Sequence, residues 1–184
     1  LKRLAGRAHE LGLKFGVHLM RGIPRKAVEE NLPVQGTKYR ARDIADTGSI
    51  CRWCHYNYGV DMSRPGAQAF YNSLINQLAG WGIDFIKLDL CKMTGDPCDT
   101  CQKSRSGWSE KTIRETYTRW SRLLNDCGRD ILFSISAYEY RDWYPDYCNM
   151  ARTTRDIQAK CNSLLGARFN PPDIVPMLFL SVME

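Results

Sequence analysis

The chain has 184 residues, of which 43% are hydrophobic and 25% charged, enough for one domain with a core of its own. Its net charge of +6 is scattered among acidic residues, as in Arg40, Arg42, Asp43 and Asp46, so no phosphate-binding stripe and no nucleic-acid partner is indicated. No apolar run approaches the roughly 18 residues of a spanning helix, and no membrane partner is assigned.

The first predicted helix carries Leu1, Leu4, Ala8 and Leu11 on one face, and Gly12 leads out of it into a strand over Leu13–Leu19. A long link from Met20 to Ser63 follows, punctuated by Gly22, Pro24, Pro33, Gly36 and Gly48. A link of that length is expected to shape a pocket. Ser63 and Pro65 signal the start of a second helix, striped by Ala67, Phe70, Tyr71, Leu74, Ile75, Leu78 and Trp81. Gly80 and Gly82 stop it before a strand over Ile83–Leu88. A second long link, Leu90 to Ser109, leads to a helix bearing Ile113, Tyr117, Trp120, Leu124 and Cys127. Ser109 is its expected cap and Gly128 its end, ahead of a strand over Ile131–Ser136. A short strand near Met150–Arg152 and a helix through Ile157–Leu165 complete the pattern, and residues 167–184 read as an irregular tail.

Strands alternating with helices define an α/β protein with a parallel sheet. The helix-to-strand links are short and the strand-to-helix links long, as in a barrel whose C-terminal face carries the elaborated loops. The expected fold is therefore a partial (β/α)8 TIM barrel of about four βα units, residues 1–184 forming one piece of a catalytic barrel. A complete barrel runs to roughly 250 residues. By itself such a piece is expected to be inactive, because the strands over Leu13–Leu19 and Met150–Arg152 would be open edges.

Eight cysteines, an even number, fit an oxidising compartment. The Cys51/Cys54 and Cys98/Cys101 pairs raise zinc, but a predicted helix and strand separate them, far beyond a zinc-ribbon spacing. Disulfides are favoured, and no metal or other cofactor is expected. His9 and His55 lack a metal-ligand partner at useful spacing, and surface or core packing explains both.

The most informative segment is Asp84-Phe85-Ile86-Lys87-Leu88-Asp89. Strand alternation turns Phe85, Lys87 and Asp89 one way and Ile86 and Leu88 the other, toward covering helices. A lysine and a carboxylate then face the barrel interior, where charge is costly unless paired or used. A structural Lys–Asp ion pair, or Asp89 capping the following loop, are the plain alternatives. After Ile131–Ser136 come Tyr138, Tyr140, Trp143, Tyr144 and Tyr147, then Arg152 to Asp156. The aromatics suit either stacking on a sugar ring or a packed loop. Asp156 could be the N-cap of the next helix. Two carboxylates at the ends of two parallel strands are nonetheless what glycoside cleavage requires.

Three segments carry a resemblance. Gly12-Leu13-Lys14-Phe15-Gly16-Val17-His18, the run Trp81 to Asp89, and the run Tyr147 to Asp156 resemble glycoside hydrolase family 27, the α-galactosidase (melibiase) family, in order over most of residues 1–160. The region resembled is roughly the third to sixth barrel strands. The resemblance implies a retaining exo-glycosidase that acts on terminal α-D-galactosyl residues of a galactoside-type carbohydrate. The alternatives are α-N-acetylgalactosaminidase or β-L-arabinopyranosidase activity, or an inactive sugar-binding remnant. It further implies that Asp89 is the nucleophile and Asp156 the acid/base, with Lys87 and Arg152 holding sugar hydroxyls. His18 stands where many members have a substrate-contacting Tyr, and Ser136 and Tyr140 fall in the loop that reads the 2-substituent. Cys91 is similar to a family cysteine bonded to one in the preceding loop, here Cys51 or Cys54. With the cysteine count, the resemblance implies a secreted or vacuolar/lysosomal setting. Ala151 and Ser136 depart from the family's usual Trp and acidic residue.

Overall fold

The computed structural model describes residues 1–50, 56–89, 110–136 and 140–152. Helix α1 (Lys2–Glu10) leads to strand β1 (Gly16–Met20). Helix α4 (Ala67–Gly80) leads to β5 (Phe85–Asp89), and α5 (Glu110–Asn125) to β6 (Leu132–Ser136), before the short β7 (Met150–Ala151). These four strands form one parallel sheet in the order β1-β5-β6-β7, so chain order and sheet order coincide, as in successive barrel strands. This is the expected α/β architecture of a partial barrel.

One face of the sheet is closed by α4 and α5. Ile86, Leu88 and Ile135 are fully buried there, with Phe133 beside them. Tyr71, Ile75 and Leu78 come from α4, and Tyr117, Trp120 and Leu124 from α5. Tyr71 meets Trp120 edge-on at 5.7 Å, and Trp120 stacks on Phe133 at 6.4 Å. Each such side chain contributes roughly 1.5–3 kcal/mol through burial, so the two predicted helix stripes account for this core. The α1 stripe behaves differently. Ala5 and His9 lie against Gly82, while Leu1, Leu4 and Leu11 are more than half exposed.

Two glycines have steric reasons. A Cβ on Gly16 would lie 2.8 Å from the ring of Phe85, its partner across the β1–β5 ladder. Gly66, at φ 96°, immediately precedes α4, and a Cβ there would lie 2.6 Å from the ring of Tyr39. The helix thus begins at Ala67, later than Ser63 and Pro65 suggested. Ser63 serves a turn instead, donating from its N–H and its hydroxyl to Asp61 Oδ1 at 3.0 and 2.6 Å.

The long first link is more than a loop. Strands β2 (Ile23–Pro24), β3 (Ala45–Ile50) and β4 (Asn57–Val60) form an antiparallel sheet in the order β2-β4-β3, with short helices α2 (Arg25–Glu29) and α3 (Ala41–Ile44). Its own core joins Ile23, Val28, Val34, Ala41 and Ile44 to Ala67 of α4. Two- to six-residue strands give too little alternation to be seen in the sequence. A cavity of about 350 Å³ lies between this insert and α4 and α5, lined by Arg21, Asp46, Asp61, Tyr71, Arg119 and Trp120. It holds none of the candidate site residues. Among the described residues no helix is long and apolar enough to cross a membrane.

Candidate functional site

The ladder registers decide which side chains share the sheet face opposite the helices. His18 pairs with Lys87, Lys87 with Ser134, and Ser134 with Met150. One step toward the C-terminal ends, Met20 pairs with Asp89 and Asp89 with Ser136, while the Arg152 N–H donates to Ile135 O at 2.8 Å and carries the row past β7. In parallel strands residues in register project to the same side. His18, Lys87, Asp89 and Ser136, drawn from three strands, and Arg152 just past a fourth therefore occupy two adjacent rows at the strand C-terminal ends. In a barrel this is the catalytic face.

Asp89 is the centre of this group. Its side chain is 14% exposed, and His18 Nε2 lies 3.2 Å from Oδ2. A ring proton on Nε2 is donated to the carboxylate. Burial pushes the Asp89 carboxyl above its ordinary range, against the pull of the His18, Lys87 and Arg152 charges and the His18 hydrogen bond. The partner of Asp89 is thus His18 on the neighbouring strand, and Lys87 acts through its charge. Ser136 is 1% exposed, and its Oγ has no hydrogen-bond partner among the described residues.

The aromatic segment divides. Tyr144 is 1% exposed and sits 6.1 Å from Tyr117 and 4.7 Å from Trp143, so it is a core residue and the packed-loop alternative holds for it. Tyr140 is exposed and meets Tyr144 edge-on at 5.8 Å. The Arg114 guanidinium lies 5.7 Å above the Trp143 ring. Asp156, Cys91, Cys51, Cys54 and Tyr138 lie outside the described residues, as do Ser109, the helix through Ile157–Leu165 and the tail over 167–184. Among the described residues Cys127 and Cys148 are free thiols, and no cluster of His, Cys, Asp or Glu could hold a metal ion. Burial pushes the Cys148 thiol up to about 11, so it stays protonated at neutral pH.

The opposite end of β5 carries a network that the sequence reading left without a role. Asp84 Oδ2 accepts from the Phe15 N–H at 2.9 Å and lies 2.7 Å from His9 Nε2, while Oδ1 accepts from Arg129 Nη2 at 2.6 Å. Arg129 Nε also donates to Ile83 O at 3.0 Å. Burial alone would raise the Asp84 carboxyl, but these donors outweigh it and hold the group at about 2. One carboxylate thus ties α1, the approach to β1 and the approach to β6 to the start of β5. The available signal was an acidic residue at the mouth of an apolar strand, two residues after the helix-ending Gly82.

Fold and site together define a segment of a (β/α)8 barrel with an ionisable group at the C-terminal end of a central strand, the class in which many carbohydrate-cleaving enzymes fall. A β-L-arabinopyranosidase from Geobacillus stearothermophilus has a solved structure that superposes with a TM-score of 0.70 at 41% identity, covering 86% of this chain and 34% of that one. Alpha-galactosidase 3 of Hypocrea jecorina is 26% identical over 160 residues, 86% of this chain and 24% of its own length. Alpha-galactosidase 2 of Arabidopsis thaliana is 32% identical over 103 residues, 54% of this chain and 22% of its own length. No protein-family model matches the chain. The chain is similar over most of its length to part of a glycoside hydrolase family 27 enzyme, and it spans between about a fifth and a third of the length of these relatives.

Proposed function

We propose that the full-length protein containing this chain is a retaining exo-glycosidase acting on terminal α-D-galactosyl residues, with Asp89 as nucleophile and Asp156 as acid/base. The observation that carries this reading is the pair of rows at the sheet's C-terminal end, with a shielded carboxylate at their centre and beside it a buried hydroxyl that has no partner among the described residues. In the first step Asp89 attacks the anomeric carbon while Asp156 gives its proton to the departing glycosidic oxygen. A glycosyl ester on Asp89 results. Water then attacks the same carbon, Asp156 takes the water's proton, and the bond to Asp89 breaks. Lys87 and Arg152 hold sugar hydroxyls, His18 contacts the sugar, and Ser136 and Tyr140 meet the 2-substituent. Cys91, bonded to Cys51 or Cys54, pins the loop beside the nucleophile. Non-reducing peptide mapping checks that bond, and a free thiol at Cys91 would overturn it.

A second reading, hydrolysis of β-L-arabinopyranosides, is favoured by the 41% identity to the Geobacillus enzyme, a variant of which has been solved in complex with arabinose. The two sugars share the orientation of their ring hydroxyls and differ in the C5 substituent. Comparing kcat/KM for aryl α-D-galactoside and aryl β-L-arabinopyranoside separates the readings, the galactoside being the better substrate on the first. Double displacement predicts that NMR of the first-formed sugar shows the substrate's anomeric configuration. An inverted product would exclude Asp89 as nucleophile.

A further inference from the structure

We propose that His18 is a positioning residue for Asp89: its Nε2–H holds Oδ2 so that Oδ1 is presented for attack, and its charge helps keep the carboxylate ionised. The inference rests on the nucleophile reading above and adds a role beyond touching the sugar. The geometry comes from two strands. His18 and Asp89 are 71 residues apart, yet the β1–β5 register puts them in adjacent rows of one face, with 3.2 Å between Nε2 and Oδ2. The carboxylate is nearly enclosed and the imidazole about half open to solvent, at 14% and 48% exposure. Either the Nε2–H tautomer or the imidazolium donates this bond, but only the imidazolium adds charge.

Among the described residues, the other charged or titratable groups acting around Asp89 are Lys87 on β5, Arg152 beyond β7, and the buried phenol of Tyr117 on α5. Among these side-chain types, imidazole is the one that ordinarily changes charge near neutrality. A nucleophile that burial drives toward its neutral acid needs such support, because a protonated carboxyl does not attack. A tyrosine at the same place could donate a hydrogen bond, but at neutral pH it would bring no positive charge.

The test uses the full-length protein and an activated aryl galactoside, with kcat/KM followed against pH. In His18→Phe, kcat should fall on the order of 10²-fold, as for a misaligned reacting group, with a smaller change in KM. Its acid limb should move up by about one pH unit. His18→Gln, whose amide restores a neutral donor, should recover most of kcat but keep the raised limb. If the Phe variant does not fold, the limb in His18→Gln decides alone. A loss confined to KM, or an unmoved acid limb while a fluoro-sugar still labels Asp89, would overturn the positioning role and leave the nucleophile intact. Labelling of a different carboxylate would overturn the functional reading and this inference with it.

Discussion

On the proposed reading of Asp89 as nucleophile, Asp89→Asn in the full-length protein is expected to lower kcat by on the order of 10⁴-fold or more, the scale on which removal of a covalent nucleophile is felt. The amide is nearly isosteric and can still accept from His18 Nε2, so the loss would report chemistry and not collapse of the site. An activated 2-deoxy-2-fluoro galactoside should label the wild type at Asp89, with the peptide found by mass spectrometry, and should not label the variant. The same substitution should leave the melting temperature unchanged or raise it. The folded-state pKa of Asp89 lies above its unfolded value, so the anion is disfavoured by folding and its charge reduces stability at neutral pH. A clear fall in melting temperature with residual turnover would mark Asp89 as structural.

Asp84, five residues earlier and immediately before β5, should behave in the opposite way. Asp84→Ala is expected to destabilise the fold by about 2–4 kcal/mol, because it leaves the Arg129 guanidinium, the Phe15 N–H and His9 without their shared acceptor. The side chain is 8% exposed, so water replaces that acceptor poorly. The pH dependence has a definite sign. The folded-state value of about 2 lies below the ordinary 3.8, so the stabilisation is complete above about pH 4 and is lost as pH falls toward 2. A shift of that size corresponds to about 2 kcal/mol. Denaturant unfolding at a series of pH values checks this: wild type should lose stability in that window, and an Asp84→Asn variant should lose about 2 kcal/mol less. Parallel curves for the two proteins would remove the Asp84 network from the account. The contrast between the strand's ends follows the division of labour in barrels, stability at the N-terminal face and chemistry at the C-terminal face.

The sequence by itself determined what depends on local periodicity. The stripes of α4 and α5, the order of helices and strands, and the sidedness of Lys87 and Asp89 against Ile86 and Leu88 all come from repeats of 3.6 and 2 residues, which neighbouring residues specify without outside help. Asp89 could therefore be singled out before any fold was known. Only the tertiary structure decided who its neighbours are. The pairing of His18 with Asp89, and of His9 and Arg129 with Asp84, depends on ladder register between strands and on how α1 and the approach to β6 meet the start of β5. Contacts 71, 75 and 45 residues apart leave no local pattern. For the same reason the antiparallel insert read as a loop, and the sequence left Tyr144 open between a sugar-stacking ring and a packed one. Burial of a short strand or a single ring is fixed by what packs against it, here Tyr117 for Tyr144 and α4 for the insert.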